Sequence, residues 1–278
     1  MTLATAPEEQ PIVKQTGAPV VVFDNVSIGF DGNAVLRNIS FSVAPAETRI
    51  ILGPAGCGKS VLMKLTNGLL QPDSGRITVF GEEISAMREV DMFQLRAHVG
   101  MVFQESALFD SLTVENNVAY RMQEEHVPQE ETERRAREAL TFVELEQTMK
   151  KFPSELSGGM RRRVAIARAI VNKPDLLLYD SPTGGLDPIT STTIIELVVK
   201  QRDVSHTTSL LVTHRIQDAF TLATHRYDQQ QHMMLPIPNK GIEESTKFLV
   251  LNEGKVVFDG TTQELVHTDD PWLKDYIS

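Results

Sequence analysis

The feature that most constrains this chain is a glycine-rich octapeptide that follows a short apolar run. The run at 50–52 predicts a buried strand, and leucines at helical spacing after the octapeptide predict a helix. Strand, tight loop and helix form the context that the pattern G-x-x-x-x-G-K-[ST] requires. The octapeptide fits that pattern at every fixed position and consists of Gly53, Pro54, Ala55, Gly56, Cys57, Gly58, Lys59 and Ser60.

A loop of this kind points successive backbone N–H groups at a chain of phosphates, and the following helix adds the positive end of its dipole. The Lys59 ammonium can reach the β- and γ-phosphates, and the Ser60 hydroxyl can hold Mg²⁺. The sequence therefore predicts a site for a nucleoside triphosphate. Cys57 stands at a variable position, where we expect no chemical role; the alternative is a thiol whose modification blocks nucleotide binding.

Composition narrows the class of protein further. The chain has 278 residues, of which 41% are hydrophobic and 23% charged, as in ordinary globular proteins. The formal net charge of −10 argues against a nucleic-acid partner. A single cysteine excludes an internal disulfide framework and suits a reducing compartment. The chain lacks an apolar run long enough to span a bilayer, and its polar first 19 residues are predicted to be a disordered tail rather than a signal peptide.

The order of strand and helix patterns predicts the fold class. Strands predominate over 20–80, helices over about 85–172, and short buried strands recur at 176–179 and 210–213 with a helix between them. This alternation predicts an α/β fold with a mostly parallel sheet and binding sites at the carboxyl ends of its strands. The charge run at 130–137 favours a solvated helix face, with a docking face as the alternative.

Two segments lie outside that pattern. Residues 226–245 contain three consecutive glutamines and two prolines without an apolar period, which predicts an inserted surface loop, or alternatively a partner contact. Residues 268–278 follow the last predicted strand and helix and are expected to form a C-terminal tail. The predicted nucleotide-binding domain therefore covers 20–267.

A second candidate phosphate site lies near the middle of the chain. Ser157, Gly158 and Gly159 open an evident helix, whose N-terminus suits an anion. About ten residues after that helix, an apolar strand ends in Asp180, a carboxylate able to hold Mg²⁺ through water. These motifs, in this order, resemble the ATP-binding cassette (ABC) family over about 21–266. The resemblance implies a phosphate-loop core with a mostly parallel sheet, an antiparallel β-subdomain and a helical subdomain that carries the 157–160 signature.

The resemblance also implies roles for single residues. Phe30 looks like the aromatic side chain that stacks on adenine, with a core-facing position as the alternative. Gln104 looks like the residue that contacts Mg²⁺ and the attacking water, and His214 like the histidine that bonds the γ-phosphate. The implied catalytic residues are Lys59, Gln104, Asp180, Ser181 and His214, the metal-binding residues are Ser60, Gln104 and Asp180, and the nucleotide contacts include Met160 and Asp187.

In this family two copies of the cassette close on two ATP molecules, and the phosphate loop of each copy faces the signature of the other. The resemblance therefore implies ATP and Mg²⁺ as cofactors and a second copy of the chain as a partner. Closure on binding and opening after hydrolysis would convert nucleotide chemistry into motion.

One position departs from the family. The residue after the Mg²⁺-associated aspartate is usually a glutamate that polarises the attacking water, and here it is Ser181. A serine hydroxyl does not accept a proton as a carboxylate does, and loss of a general base typically removes about 10²–10⁴-fold of rate. Slow turnover and a long-lived closed dimer are expected. The rival expectation is that another side chain restores ordinary speed.

Finer motifs resemble one branch of the family. Residues 103–118, Met160 and the segment 269–276 are similar to the Mla/Mce-type lipid transporters. That resemblance implies the cytoplasmic ATPase of a complex that moves phospholipids between inner and outer membranes, peripheral on the inner membrane and paired with a permease and an Mce-domain lipid-binding protein. Phe109 and Leu112 are expected to touch the permease, with core packing as the alternative. Alternative functions are the ATPase of another ABC transporter and an ATP-gated, hydrolysis-deficient binding module.

Overall fold

The computed structural model describes residues 17–278, so most of the predicted N-terminal tail (residues 1–16) lies outside the described residues. The strands are β1 (Val21–Phe30), β2 (Asn33–Val43), β3 (Thr48–Leu52), β4 (Ser74–Val79), β5 (Glu82–Glu83), β6 (Val99–Val102), β7 (Leu176–Asp180), β8 (Thr208–Val212), β9 (His225–Asp228), β10 (Met233–Pro236), β11 (Thr246–Asn252) and β12 (Lys255–Thr261). The helices are α1 (Lys59–Thr66), α2 (Glu89–Ala97), α3 (Val114–Glu124), α4 (Gln129–Phe142), α5 (Gly158–Ile170), α6 (Pro188–Ser205), α7 (Ile216–Thr224), α8 (Thr262–Val266) and α9 (Pro271–Ile277).

A six-stranded sheet in the order β12-β11-β3-β8-β7-β6 forms the centre of the molecule. Its strands pair in parallel except for β12, which pairs antiparallel with β11 at one edge. Every residue of β3, β7 and β8 is buried, because helices or the second sheet cover both faces. The second sheet is antiparallel, in the order β2-β1-β4-β5. The predicted α/β fold with an antiparallel subdomain is confirmed.

Two hydrophobic cores lie on opposite faces of the central sheet. Ile50 and Leu52 of β3 join a core with α3, α4, α5 and α6, while Ile51 joins the core under the antiparallel sheet. This alternation follows from the two-residue period of a strand. The sheet is thereby fixed between two layers, and its carboxyl edge is held at a defined position.

The carboxyl ends of four neighbouring strands bring the predicted functional segments to one edge. Gly53 follows β3, Phe103 follows β6, Asp180 ends β7 and Thr213 follows β8. Because these strands are parallel and adjacent, the segments that follow them meet at the same edge. The predicted charge run lies on α4, where Arg134 pairs with Glu131 and Glu138 on the solvated surface.

The prediction of an inserted surface loop over 226–245 needs correction in its first half, because β9 and β10 form a hairpin there. The hairpin lies against α6: Tyr227 N donates to Asp203 Oδ2 at 2.6 Å, and Met234 N donates to Glu196 Oε1 at 2.9 Å. The Lys200 ammonium lies 5.4 Å from the Tyr227 ring centre. These contacts come from a distant helix, so the polar local sequence carries no sign of them.

The expectation of a plain tail over 268–278 also needs correction. Residues 271–277 form α9, whose N-terminus is capped by Asp270 Oδ1 through the N–H groups of Trp272 and Leu273. Leu273 is buried, and the rings of Trp272 and Tyr276 stack with centroids 5.2 Å apart. The outer limits of the nucleotide-binding domain stay a prediction. None of the helices in the described part of the chain is long and apolar enough to cross a membrane.

Candidate nucleotide site

The phosphate loop connects β3 to α1 with a backbone that only glycine fits at two positions. Gly53 has φ +148°, and a Cβ added to it would lie 2.3 Å from the Leu251 carbonyl oxygen. Gly58 has φ +102°, and a Cβ there would lie 2.4 Å from Leu36 Cδ2. Both glycines therefore allow the loop to curl tightly against the surrounding core.

Lys59 opens α1 and folds back over the loop. Its Nζ donates to the carbonyl oxygens of Gly53 at 2.7 Å and Pro54 at 2.8 Å. The Cys57 thiol is buried 3.7 Å from the same Nζ. The only positive side chain of the octapeptide is thus held at the loop itself, where it suits the charge of a phosphate chain.

Ser60 and Asp180 bring two oxygen ligands together at the sheet edge. Ser60 Oγ donates to Asp180 Oδ1 at 3.2 Å. Burial raises the pKa of Asp180, while hydrogen bonds from Ser60 and Ser181 and the charges of Lys64 and Lys59 oppose the rise. A bound cation would favour the ionised form. A hydroxyl and a carboxylate beside a phosphate loop fit Mg²⁺, which usually takes few protein ligands and completes its shell with phosphate oxygens and water.

The remaining predicted catalytic residues lie at the same edge. A Cβ added to Gly184 would lie 3.4 Å from Gln104 Nε2, so the Gln104 side chain lies against the turn at 181–184 that follows Asp180. His214 is exposed and comes two residues after β8, the strand between β3 and β7. No cluster of three or more histidine, cysteine, aspartate or glutamate side chains that could hold a metal occurs within residues 17–278.

Ser181 lies in the turn with a left-handed backbone, φ +48°. Its N–H donates to the Val212 carbonyl at 2.9 Å, and its carbonyl accepts from Gly184 N at 2.9 Å. A hydrogen-bond contribution from its side chain opposes the rise in the pKa of Asp180. The residue after the strand-end aspartate therefore brings a hydroxyl, and no carboxylate, to the turn.

The signature residues form the exposed N-terminus of α5. Ser157 Oγ accepts the Met160 N–H at 3.2 Å and caps the helix. A Cβ added to Gly159 would lie 2.3 Å from Thr190 Cγ2, so α5 and α6 touch where both begin. Asp187 caps α6, and hydrogen bonds from Thr190 lower its pKa. Next to it, the Ile189 side chain is 82% exposed.

Phe30 ends β1 with its side chain 42% exposed, which excludes the core-facing alternative.

The sequence did not predict two further residues of this region. Tyr276 of α9 accepts the Gly53 N–H through its hydroxyl oxygen at 2.9 Å. Arg162 of α5 reaches the turn at 181–184. No local pattern marks Tyr276, and Arg162 stands in a run of three arginines that gives it no separate signal.

Comparison with known proteins agrees with this geometry. A family profile described as ABC transporter matches residues 36–184. The chain belongs to the ABC transporter family. The cassette is 32% identical over 266 residues to the intermembrane phospholipid transport system ATP-binding protein MlaF of Escherichia coli K12, covering 95% of this chain and 91% of that one. It is 37% identical over 205 residues to the methionine import ATP-binding protein MetN of Bifidobacterium longum, covering 71% of this chain and only 51% of that one.

Solved cassettes share the fold. The dimeric, post-hydrolysis structure of the ATP-binding cassette MJ0796 bound to ADP and Pi has a TM-score of 0.72 and 27% identity, covering 87% of this chain and 98% of that one. The structure of cbiO1 from Clostridium perfringens, part of the ABC transporter complex cbiONQ, has a TM-score of 0.75 and 28% identity, covering 90% and 91%. The cassette is accordingly an ABC-type ATPase that binds ATP with Mg²⁺.

Proposed function

We propose that this cassette hydrolyses ATP as the nucleotide-binding subunit of a transporter that moves phospholipids between membranes. The similarity to MlaF carries this proposal, because it extends over almost the whole of both chains. The segments 103–118 and 269–276 support it by their resemblance to the lipid transporters. The second candidate is an amino-acid importer, favoured by the 37% identity to MetN over a shorter overlap.

An exposed apolar patch supports docking to a permease. It consists of Phe93, Phe109 and Tyr120, at the junction of α2, α3 and the segment after Gln104, and Arg121 lies beside it. Phe109 is 43% exposed and its ring lies 4.6 Å from the Tyr120 ring; Phe93 is 64% exposed, with the Arg121 guanidinium 6.0 Å from its ring centre. Exposed aromatic side chains in contact with one another are typical of protein interfaces. Leu112 is half-buried and contributes less surface.

The same proposal covers assembly and chemistry. Two copies of the chain would close on two Mg²⁺–ATP molecules, with Lys59 and Ser60 of one copy facing Ser157 and Gly158 of the other. Phe30 would stack on adenine, and Gln104 and His214 would orient the attacking water and the γ-phosphate. When bound, Mg²⁺ supplies charge neutralisation at the β- and γ-phosphates. Ser181 supplies no carboxylate, so turnover is slow.

The permease would hold the cassette on the cytoplasmic face of the inner membrane, and an Mce-domain lipid-binding protein would complete the complex. Affinity purification of the tagged chain from native membranes tests this. We expect an integral membrane partner and co-purified phospholipid, detected by mass spectrometry. Phe109→Asp should abolish the partner's recovery, while Val257→Asp, at a similarly exposed apolar residue of β12, should not. A permease that carries an amino acid and no lipid would contradict the phospholipid proposal.

A further inference from the structure

Arg162 lies in the second turn of α5, and the sequence gives it no role. Arg162 is only 5% exposed, and it forms no ion pair with a carboxylate of residues 17–278. Burial lowers the pKa of the guanidinium, and the charge of Asp180 opposes that effect. Burying a charge is expensive, and an apolar side chain of similar volume is often as stable or more so. Stability alone therefore explains Arg162 poorly.

The guanidinium binds backbone carbonyls of two catalytic segments. Nη1 donates to Ser181 O at 3.2 Å and more weakly to Phe103 O at 3.4 Å, and Nη2 donates to Gly184 O at 3.3 Å. Phe103 directly precedes Gln104, while Ser181 and Gly184 begin and end the turn after Asp180. Among the described residues, Arg162 Nε has no hydrogen-bond partner. The guanidinium therefore bonds the turn through its two Nη atoms, while its Nε is left without a partner in the described part of the chain.

The turn needs such support. Ser181 is a non-glycine residue at φ +48°, a left-handed conformation that is unfavourable for an ordinary side chain. Because Ser181 is adjacent to Asp180, a change of its backbone would move the carboxylate that faces Ser60. The Gln104 side chain lies against Gly184, so the same change would also shift Gln104.

We propose that Arg162 is a positioning residue for ATP hydrolysis. It ties the helix that carries the signature to the backbone on either side of the γ-phosphate site, and it holds Gln104 and the Asp180–Ser181 pair in register. The proposal rests on the ATPase activity of the cassette and not on the molecule that is transported. Its neighbours act elsewhere: Arg161 Nη1 donates to the Leu156 carbonyl and Arg163 Nη1 to the Val143 carbonyl.

The test compares full-length Arg162→Met with the wild type. Methionine fills similar space without donors, so thermal unfolding should occur at the same or a higher temperature. The Kd for Mg²⁺–ATP should stay within about twofold, because Lys59 and the loop are untouched. Single-turnover hydrolysis should fall about 30-fold, as expected when reacting groups are displaced by a fraction of an ångström. Arg162→Gln keeps two N–H donors and should lose only about threefold.

Arg163→Met is the matched control, since it removes the same type of bond from the next residue of α5. Its hydrolysis rate should stay within about twofold of the wild type. A rate for Arg162→Met within twofold of the wild type overturns the proposal, and so does an equal loss in Arg163→Met. If Arg162→Met does not fold, Arg162→Gln decides: a wild-type rate contradicts the role, and a threefold loss at unchanged Kd supports it.

The same variants in the Ser181→Glu background give a faster reaction to follow. Absence of hydrolysis in both backgrounds would overturn the proposal together with the ATPase assignment. Finding a different transported molecule would contradict the phospholipid proposal but not the role of Arg162, so the two proposals can be distinguished.

Discussion

The two helix N-termini that are predicted to bind phosphates differ in how closely the rest of the chain surrounds them. The phosphate loop before α1 is surrounded: Gly53 contacts Leu251, Gly58 contacts Leu36, and Lys59 is bonded to the loop's own carbonyls. The signature at the start of α5 is exposed. Ser157 caps this helix, and the exposed Ile189 lies in the first turn of the neighbouring α6.

This difference implies that nucleotide affinity and dimerisation depend on different regions of the chain. The phosphate-loop site has its glycines, its cation and its predicted Mg²⁺ ligands within one chain, so we expect one copy to bind Mg²⁺–ATP. The signature lies at an exposed helix N-terminus, and we propose that it gains a ligand when another copy presents its nucleotide. We therefore expect changes in the first region to alter nucleotide binding, and changes in the second to alter dimerisation at unchanged binding.

The largest effect is expected at Ser181, where the otherwise complete phosphate-loop side lacks a base. Ser181→Glu should raise steady-state ATP turnover by about 10²-fold or more, because a carboxylate next to Asp180 can polarise the attacking water. Mg²⁺–ATP affinity should change little. A wild-type rate near or above several per second, unchanged by the glutamate, would contradict slow turnover. Ser181→Ala, measured alongside, separates the effect of adding a base from the effect of removing the hydroxyl.

Lys59→Met should weaken Mg²⁺–ATP binding about 100-fold, the upper range for losing hydrogen bonds to a charged group. The chain should still fold, because among the described residues the Lys59 ammonium bonds only atoms of its own loop, the Gly53 and Pro54 carbonyls and the Cys57 sulfur. Equilibrium binding with a fluorescent ATP analogue measures the change. Lys255→Met, at an exposed lysine of β12, is the control. Equal affinity of both variants for Mg²⁺–ATP would contradict the assignment of the phosphate loop as the nucleotide site.

Gly158→Asp tests the signature region, where we expect a change in dimerisation and not in nucleotide binding. A Cβ at this position meets only Leu186 at 3.7 Å and Arg161 at 4.0 Å, so the chain accommodates it. A carboxylate there would repel the phosphates of the second copy's ATP, and ATP-dependent dimerisation should weaken about tenfold. Sedimentation with a non-hydrolysable ATP analogue tests this. Gly158→Ala should dimerise almost normally. Weaker binding of nucleotide by the monomeric aspartate variant would contradict the separation of roles.

The two regions also differ in what their sequences predict. The phosphate loop could be read directly, because its geometry depends on glycines within eight consecutive residues. The signature helix was equally readable from Ser157 and the glycines after it. The individual roles of Phe30, Gln104 and His214 came from a family resemblance and stay predictions, although the strand order brings the last two to the same edge as the phosphate loop.

Features held by distant contacts were not predictable. The β9–β10 hairpin depends on Glu196 and Asp203 of α6, and its own sequence has no clear period. Helix α9 depends on a pocket for Leu273 formed by the rest of the fold. Arg162 acts on carbonyls 59, 19 and 22 residues away, and backbone carbonyls leave no trace in side-chain patterns.

The smallest effect is expected at Tyr276, which joins the C-terminal helix to the phosphate loop. Burial raises the pKa of Tyr276, so its hydroxyl is neutral at pH 7 and accepts the Gly53 N–H. Tyr276→Phe leaves that N–H without its partner, at a cost of about 1 kcal/mol in the free energy of unfolding. Because the phosphate loop then loses one of its fixed contacts, it should bind Mg²⁺–ATP about threefold more weakly. Tyr120→Phe, which removes a hydroxyl in the apolar patch, should leave affinity unchanged in the same titration. Tighter binding by Tyr276→Phe would instead show that Tyr276 competes with phosphate for the Gly53 N–H, and the phosphate loop would then be complete only after α9 moves away.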